Sequence, residues 1–255
     1  MMLTDTHTHL YVEAFDEDRD QVIQNAINAG ITRFFVPAID SSYTDAMLAL
    51  EQRFSSQVFL MMGLHPTSVR KDFQKELEHV EAMLGSHKFY AVGEIGIDLY
   101  WDRTFFEQQR KAFAYQIQLA QKNNLPIVIH CRDSFDEIIE VLDEVATDSL
   151  RGIFHCFTGT LEQAQTAIAH NMKLGIGGVV TFKNGKIDTF LNQIDLRHLV
   201  LETDAPYLAP VPYRGKRNES AYLKLVVDKL CDIYQTNPEE IARITTENSK
   251  EVFGI

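Results

Sequence analysis

Leu3-Thr4-Asp5-Thr6-His7-Thr8-His9-Leu10 begins as a short β-rich run and closes on two histidines spaced by two residues. Strand side chains alternate between faces, so both imidazoles can point to one side and hold one ion. Alone, such a tripeptide is as readily two incidental polar residues as a metal site. The decision rests on how the rest of the chain repeats this pattern.

Short apolar, β-rich runs recur at residues 3–10, 31–38, 58–65, 90–97, 126–131, 152–157, 173–180 and 199–204. Helical periodicity fills the gaps at 18–29, 42–53, 73–84, 105–123, 134–145, 161–171 and, briefly, around 187–193, with two more helices at 220–234 and 238–253. Gly30, Gly85 and Asn123-Asn124 fall where helices should stop. Eight right-handed βα units predict an α/β protein whose parallel sheet closes as a (β/α)8 TIM barrel, with an open doubly wound sheet as the alternative. No linker or composition shift divides the 255 residues, which predicts a single domain over 1–255. Five of the eight runs carry a metal-ligand type at or near the C-terminal end, where barrel enzymes build their sites, and this favours the barrel.

Composition narrows the function. A formal net charge of −12 argues against a broad non-specific grip on nucleic acid, though it leaves room for a small site holding one strand end. Cys131, Cys156 and Cys231 lack CxxC spacing and form an odd set, so they read as reduced, packed thiols. The first ten residues lack the basic and apolar regions of a signal peptide, and no apolar run reaches the roughly 20 residues that span a bilayer. The expectation is a cytoplasmic protein with no membrane role.

The fourth run ends Gly93-Glu94-Ile95-Gly96-Ile97-Asp98. An acid among small and apolar residues is costly unless a cation compensates it, which makes Glu94 the natural bridge between two ions, against the plain alternative of a surface carboxylate. Asp98 shares its parity but falls beyond the expected strand end, so it is assigned to bracing the loop. The fifth and sixth runs deliver His130 and His155 after apolar residues, in equivalent places on successive strands, where neutral imidazoles complete a second site. Cys131 and Cys156 follow them and should face the helices. The eighth ends Glu202-Thr203-Asp204-Ala205-Pro206. Asp204, nearer the mouth, is the ligand and proton carrier, whereas Glu202, one layer deeper, orients a histidine or joins a buried ion pair. His65, ending the third run, is given to substrate or to supporting a ligand. His79, His87, His170 and His198 lie in or beside helices and carry no role.

With these residues in hand, the chain closely resembles the TatD family of metal-dependent deoxyribonucleases among the amidohydrolase-like barrels. The likeness runs from Leu3 to Phe253 and rests on Asp5-Thr6-His7-Thr8-His9-Leu10, Gly63-Leu64-His65-Pro66, Gly93-Glu94-Ile95-Gly96-Ile97-Asp98, Pro126-Ile127-Val128-Ile129-His130, His155-Cys156-Phe157-Thr158-Gly159 and Glu202-Thr203-Asp204-Ala205-Pro206. It implies that His7, His9, Glu94 and Asp204 hold one divalent ion, and that Glu94 bridges to a second completed by His130 and His155. It further implies hydrolysis of DNA phosphodiesters, commonly from a strand end, with magnesium, manganese or zinc accepted. Glu94 and Asp204 are then the catalytic carboxylates.

For the phosphate, the basic loop Tyr213-Arg214-Gly215-Lys216-Arg217 offers Arg214 first, with Lys216 and Arg217 as readily a solvated surface, and Arg132 follows His130 on the same rim. Tyr100 and Trp101 stand where they can stack a terminal base or simply close the barrel lip. The expected partner is DNA with a small footprint, handled by a monomer or weak oligomer. Two rivals remain: a small-molecule hydrolase for a phosphoester, lactone or amide, since a metal centre does not fix its substrate, and a binding module, against which the complete ligand set argues.

Overall fold

The structure, a computed structural model, describes residues 2–255. Strands β1 (Leu3–Asp5), β2 (Ile31–Pro37) and β3 (Val58–Met61) form one parallel sheet. Strands β4 (Val92–Asp98), β5 (Ile127–Arg132), β6 (Gly152–Phe154), β7 (Met172–Ile176) and β8 (Leu199–Leu201) form another. Two seams join them. At one, Met62 bridges Val92 and the Tyr90 amide donates to the Leu60 carbonyl at 2.9 Å. At the other, Thr8 bridges Ala205, and the amides of Thr6 and His9 donate to the carbonyls of Leu201 and Ala205 at 2.9 and 2.8 Å. Closure removes every sheet edge and gives the TIM barrel that the alternation predicts.

Helices α1 (Arg19–Asn28), α2 (Thr44–Arg53), α3 (Gln74–Ser86), α4 (Phe106–Lys122), α5 (Phe135–Val145) and α6 (Leu161–Ala169) each follow a strand, and α7 (Leu223–Tyr234) and α8 (Pro238–Phe253) both follow β8. Their sequences explain their ends. In α5 the buried Ile138, Val141 and Leu142 recur at helical spacing while Asp136 and Glu137 occupy the first turn, where acids complement the helix dipole. A reciprocal cap between Thr160 and Gln163 starts α6, and Asn237 with Pro238 starts α8.

Three expectations need correction. No α-helix forms around 187–193; short 3-10 turns at Ile187–Thr189 and Leu191–Gln193 stand there instead. The Tyr234 hydroxyl donates to the carbonyls of Leu191 and Ile194 at 2.6 and 2.8 Å, and the Thr189 hydroxyl to that of Lys186 at 2.6 Å, so side chains take acceptors that a helix would use. Strands β1, β3, β6, β7 and β8 also stop early, at Asp5, Met61, Phe154, Ile176 and Leu201, so His7, His9, His65, His155 and Asp204 sit on the chain beyond their strands. Asp98, conversely, lies inside β4 as its last residue.

The barrel interior is divided along its axis. Phe35, Met61, Ala91, Val128, Ile153 and Val200 form an apolar plug with Val252 and Phe253 of α8, in which Phe253 stacks on Phe35 at 3.6 Å between ring centroids. Two residues further along the same strands, on the same face, the plug gives way to His130, His155 and Glu202.

Candidate metal centre

Backbone irregularities aim the site. Along β4 and β5, Gly93 pairs with Val128 and Ile95 with Ile129, leaving Glu94 as the additional residue of a β-bulge. Such a bulge re-aims a side chain, and Glu94 turns into the barrel, almost wholly buried. Gly96 lies at φ +145°, and a Cβ there would fall 2.0 Å from the His130 carbonyl oxygen, so only glycine lets the two strands approach. Asp5, buried at the end of β1, accepts from the Thr203 amide at 2.9 Å and from its hydroxyl at 2.6 Å, which clamps the end of β1 to that of β8. Burial pushes the Asp5 carboxyl up to about 7, despite the opposing hydrogen bonds from Thr203 and its neighbours.

Around Glu94 the donors divide into two groups. Its Oε2 lies 3.1 Å from His7 Nε2 and 3.6 Å from His9 Nε2, and Asp204 Oδ1 lies 3.8 and 3.6 Å from the same nitrogens. Its Oε1 faces His130 Nδ1 at 2.8 Å, His65 Nε2 at 3.4 Å and His155 Nε2 at 3.7 Å. His155 Nε2 also stands 3.8 Å from Asp204 Oδ1, and the rings of His7 and His155 stack at 3.5 Å. His65, expected to serve substrate or support, thus stands among the donors, nearer to Glu94 than His155 does.

Beneath this layer three of the imidazoles are oriented by a partner, whereas the buried Nδ1 of His7 has none among the described residues. His155 Nδ1 lies 3.0 Å from Glu202 Oε1, which also accepts the Cys156 amide at 2.6 Å. His130 Nε2 meets Asp98 Oδ2 at 2.9 Å, while Asp98 Oδ1 accepts the amides of Tyr100 and Trp101, so Asp98 braces the loop and turns the histidine together. His9 Nδ1 pairs at 3.1 Å with the Tyr11 hydroxyl, which donates to the Pro37 carbonyl at 2.8 Å. The contacts of Tyr11 and Asp98 to the histidines escaped the sequence reading. Both residues keep the two-residue rhythm of a functional strand, Tyr11 after His9 and Asp98 two steps past the bulge, and that rhythm is the one signal that marks them.

Burial pushes the Glu94 carboxyl up, but the surrounding His65, His7 and His155 outweigh it and hold it well below the usual carboxylate range. Asp204 is likewise held low, burial being overcome by His155, His9 and His7. Burial depresses His65 and His7, with His155 adding to the shift in His7. His155 goes the other way, up to about 10, because Glu202, Glu94 and Asp204 overcome its burial. So many lone pairs converging in a buried space need a cation: the ligand atoms of His7, His9 and Glu94, of His7, His155 and Asp204, and of His65, Glu94 and His130 each lie within 4.8 Å of one another. Donors about 2.0–2.2 Å from one ion sit roughly 3–3.6 Å apart, close to the separations seen here, so these residues fit divalent metal.

On the rim, Arg132 lies over the rings of Tyr100 and Trp101 at 4.0 and 5.3 Å, and Arg214 over Phe182 at 3.8 Å. Tyr100 and Trp101 are exposed. Arg217 leaves the site, pairing with Asp18 through both terminal nitrogens and with Glu219. Cys131, Cys156 and Cys231 are free and half-buried, while His79 and His87 bond to Thr44 and Glu51 and His170 lies 3.2 Å from Asp143, all away from the mouth.

A parallel barrel with clustered imidazoles and carboxylates at the C-terminal ends of its strands defines a metal-dependent hydrolase. Comparison with known proteins narrows the class. The chain matches the TatD related DNase family over residues 4–254. It is 38% identical over 256 residues to YabD of Bacillus subtilis (strain 168), an uncharacterized metal-dependent hydrolase, covering 100% of both chains. The crystal structure of YjjV, a TatD homologue from Escherichia coli K12, aligns with a TM-score of 0.93 at 30% identity, over 99% of this chain and 98% of that one. A TatD family hydrolase from Entamoeba histolytica shares the fold at a TM-score of 0.86 and 20% identity, over 99% and 98% of the two chains. The protein belongs to the TatD family of metal-dependent hydrolases. Among the described residues, no helix is long and apolar enough to cross a membrane.

Proposed function

We propose that the protein is a deoxyribonuclease that hydrolyses phosphodiester bonds at accessible ends of single strands with two divalent ions, magnesium, manganese or zinc. The observation that carries this reading is the cavity over Glu94, about 690 Å³. Its floor is acid and imidazole, while Arg132, Arg214 and Lys216 stand on its walls, none paired with a carboxylate among the described residues. In a chain of net charge −12, this local positive wall suits one anionic group rather than a length of duplex. Trp101 and Tyr207 on the same wall offer exposed faces to a base.

In this reading His7, His9 and Asp204 would hold one ion and His130 and His155 the other, with Glu94 shared between them and His65 beside the second group. Bound there, the ions supply the Lewis acidity that phosphodiester hydrolysis requires. Arg132 and Arg214 orient the phosphate. Asp204, a carboxylate at neutral pH, accepts the proton of the attacking water and returns it to the departing oxygen. Glu202 and Asp98 fix the rings of His155 and His130. Three free thiols fit a reducing, cytoplasmic setting. The donor set is complete within one chain, so a monomer or weak oligomer suffices.

The test is cleavage of single-stranded DNA labelled separately at each end, with each metal, by the parent and by Glu94→Ala and Asp204→Asn. Laddered, metal-dependent products that vanish in both variants support the reading. A folded, metal-loaded parent that leaves DNA intact overturns it in favour of a small-molecule hydrolase.

A further inference from the structure

Three further cavities share wall residues with the central one, and their charges differ. The first, about 390 Å³, shares His155 and is lined by Asp133, Asp136 and Glu137 without a lysine or arginine. The second, about 400 Å³, shares Thr67, Asp98 and Trp101 and sets Asp98 and Asp102 against Arg70 alone. The third, about 650 Å³, shares Phe182 and Arg214, adds Lys186, and has no acid in its lining. A polyanion leaving the centre meets repulsion in the first, a weaker repulsion in the second and attraction in the third.

The third cavity is also built. The Arg214 guanidinium carbon lies 3.8 Å from the Phe182 ring centroid, and both residues line the central cavity and this one, so Arg214 stands on the divide between them. Lys186 sits in a tight turn at φ +58°, held by the Gly185 amide on the Phe182 carbonyl at 3.0 Å and by the Thr189 amide and hydroxyl on its own carbonyl. Among the described residues, neither cation forms an ion pair. Thr158, Thr160 and Asn184 add hydroxyl and amide groups along the same wall. Such groups bind phosphate and sugar and read no sequence.

We propose that this groove is the path of the rest of the strand: with one phosphodiester over Glu94, the adjoining phosphates run past Arg214 to Lys186. The inference rests on the nuclease reading and adds to it a binding subsite, a direction of exit and a preference for oligonucleotides over dinucleotides.

The experiment measures KM and kcat for single-stranded oligonucleotides from dinucleotide to octanucleotide, with the parent, Lys186→Glu, Lys186→Ala and, in the acidic cavity, Asp136→Asn. In the parent, KM should fall about tenfold as length grows to fill the groove, with kcat nearly constant. Lys186→Glu should abolish that gain and Lys186→Ala reduce it, both leaving dinucleotide kinetics intact, and Asp136→Asn should change nothing. Binding of the octanucleotide without metal should lose about 0.7 in the slope of log K against log salt for the phosphate contact removed. DNA cleavage whose KM ignores length, or a length effect that survives Lys186→Glu, overturns the groove and leaves the nuclease reading standing. A parent that cleaves no DNA of any length overturns both.

Discussion

The two ends of the barrel interior are built from the same strands and obey opposite rules. Below, Val128, Ile153 and Val200 pack with Phe35 and Phe253 into a dry plug. One inward step above, His130, His155 and Glu202 crowd together with Glu94, rich in ligand lone pairs and poor in N–H and O–H groups to satisfy them. Burial stabilises the lower end, whereas at the upper end it is a cost that a bound cation must offset. Stability and activity are therefore separable by position along a single strand.

The sharpest way to break that contrast is Phe253→Ala. Removing a buried aromatic from the plug should cost about 3–5 kcal/mol and lower the melting temperature by roughly 10 °C. Activity per folded molecule, read well below the transition, should not change; a large loss there would show that the ends are coupled. The converse variant is Glu94→Ala, expected to lower turnover by about 10²–10³-fold. Because it also takes away a partner that raises His155 and His130, the substitution should lower the metal-free melting temperature as well, as calorimetry would show.

Smaller effects sharpen the boundary between the layers. Glu202→Gln keeps the shape beneath His155 but loses the charge, and metal affinity by competition with a chelator should weaken about 10–100-fold without loss of fold. The least effect belongs to neither end. The Arg217 guanidinium beside Asp18 holds that carboxyl below its ordinary value, so the pair's contribution is full above about pH 4 and lost as pH falls through the depressed value. Acid unfolding of Arg217→Ala should lack this small component, and an unchanged acid limb would show that the pair is worth nothing in solution.

The sequence reads best where local pattern and tertiary role coincide. Ile127-Val128-Ile129-His130 shows both the buried strand and the histidine near its end, because parity alone carries His130 to the face of Val128. Glu94 is legible as a buried acid, but its aim depends on a bulge created by pairing with β5, a relation between segments 35 residues apart that no local pattern records. Asp204 adopts φ +57° beyond a three-residue strand, where a longer, regular strand is expected. Arg217 reads from the sequence as either a solvated cation or a phosphate ligand, and only the fold, by bringing Asp18 against it, takes it away from the site. The missing helix around 187–193 is lost to the hydroxyl of Tyr234, supplied from a helix that follows β8.

Trp101 is the chain's one tryptophan, and it stands 69% exposed on the lip beside Arg132. The indole emission of the native protein therefore reports on the mouth and not on the core. Its maximum should already lie near that of an indole in water, so unfolding moves it little. A base laid against the ring would quench it, giving an unlabelled optical signal for occupancy of the site.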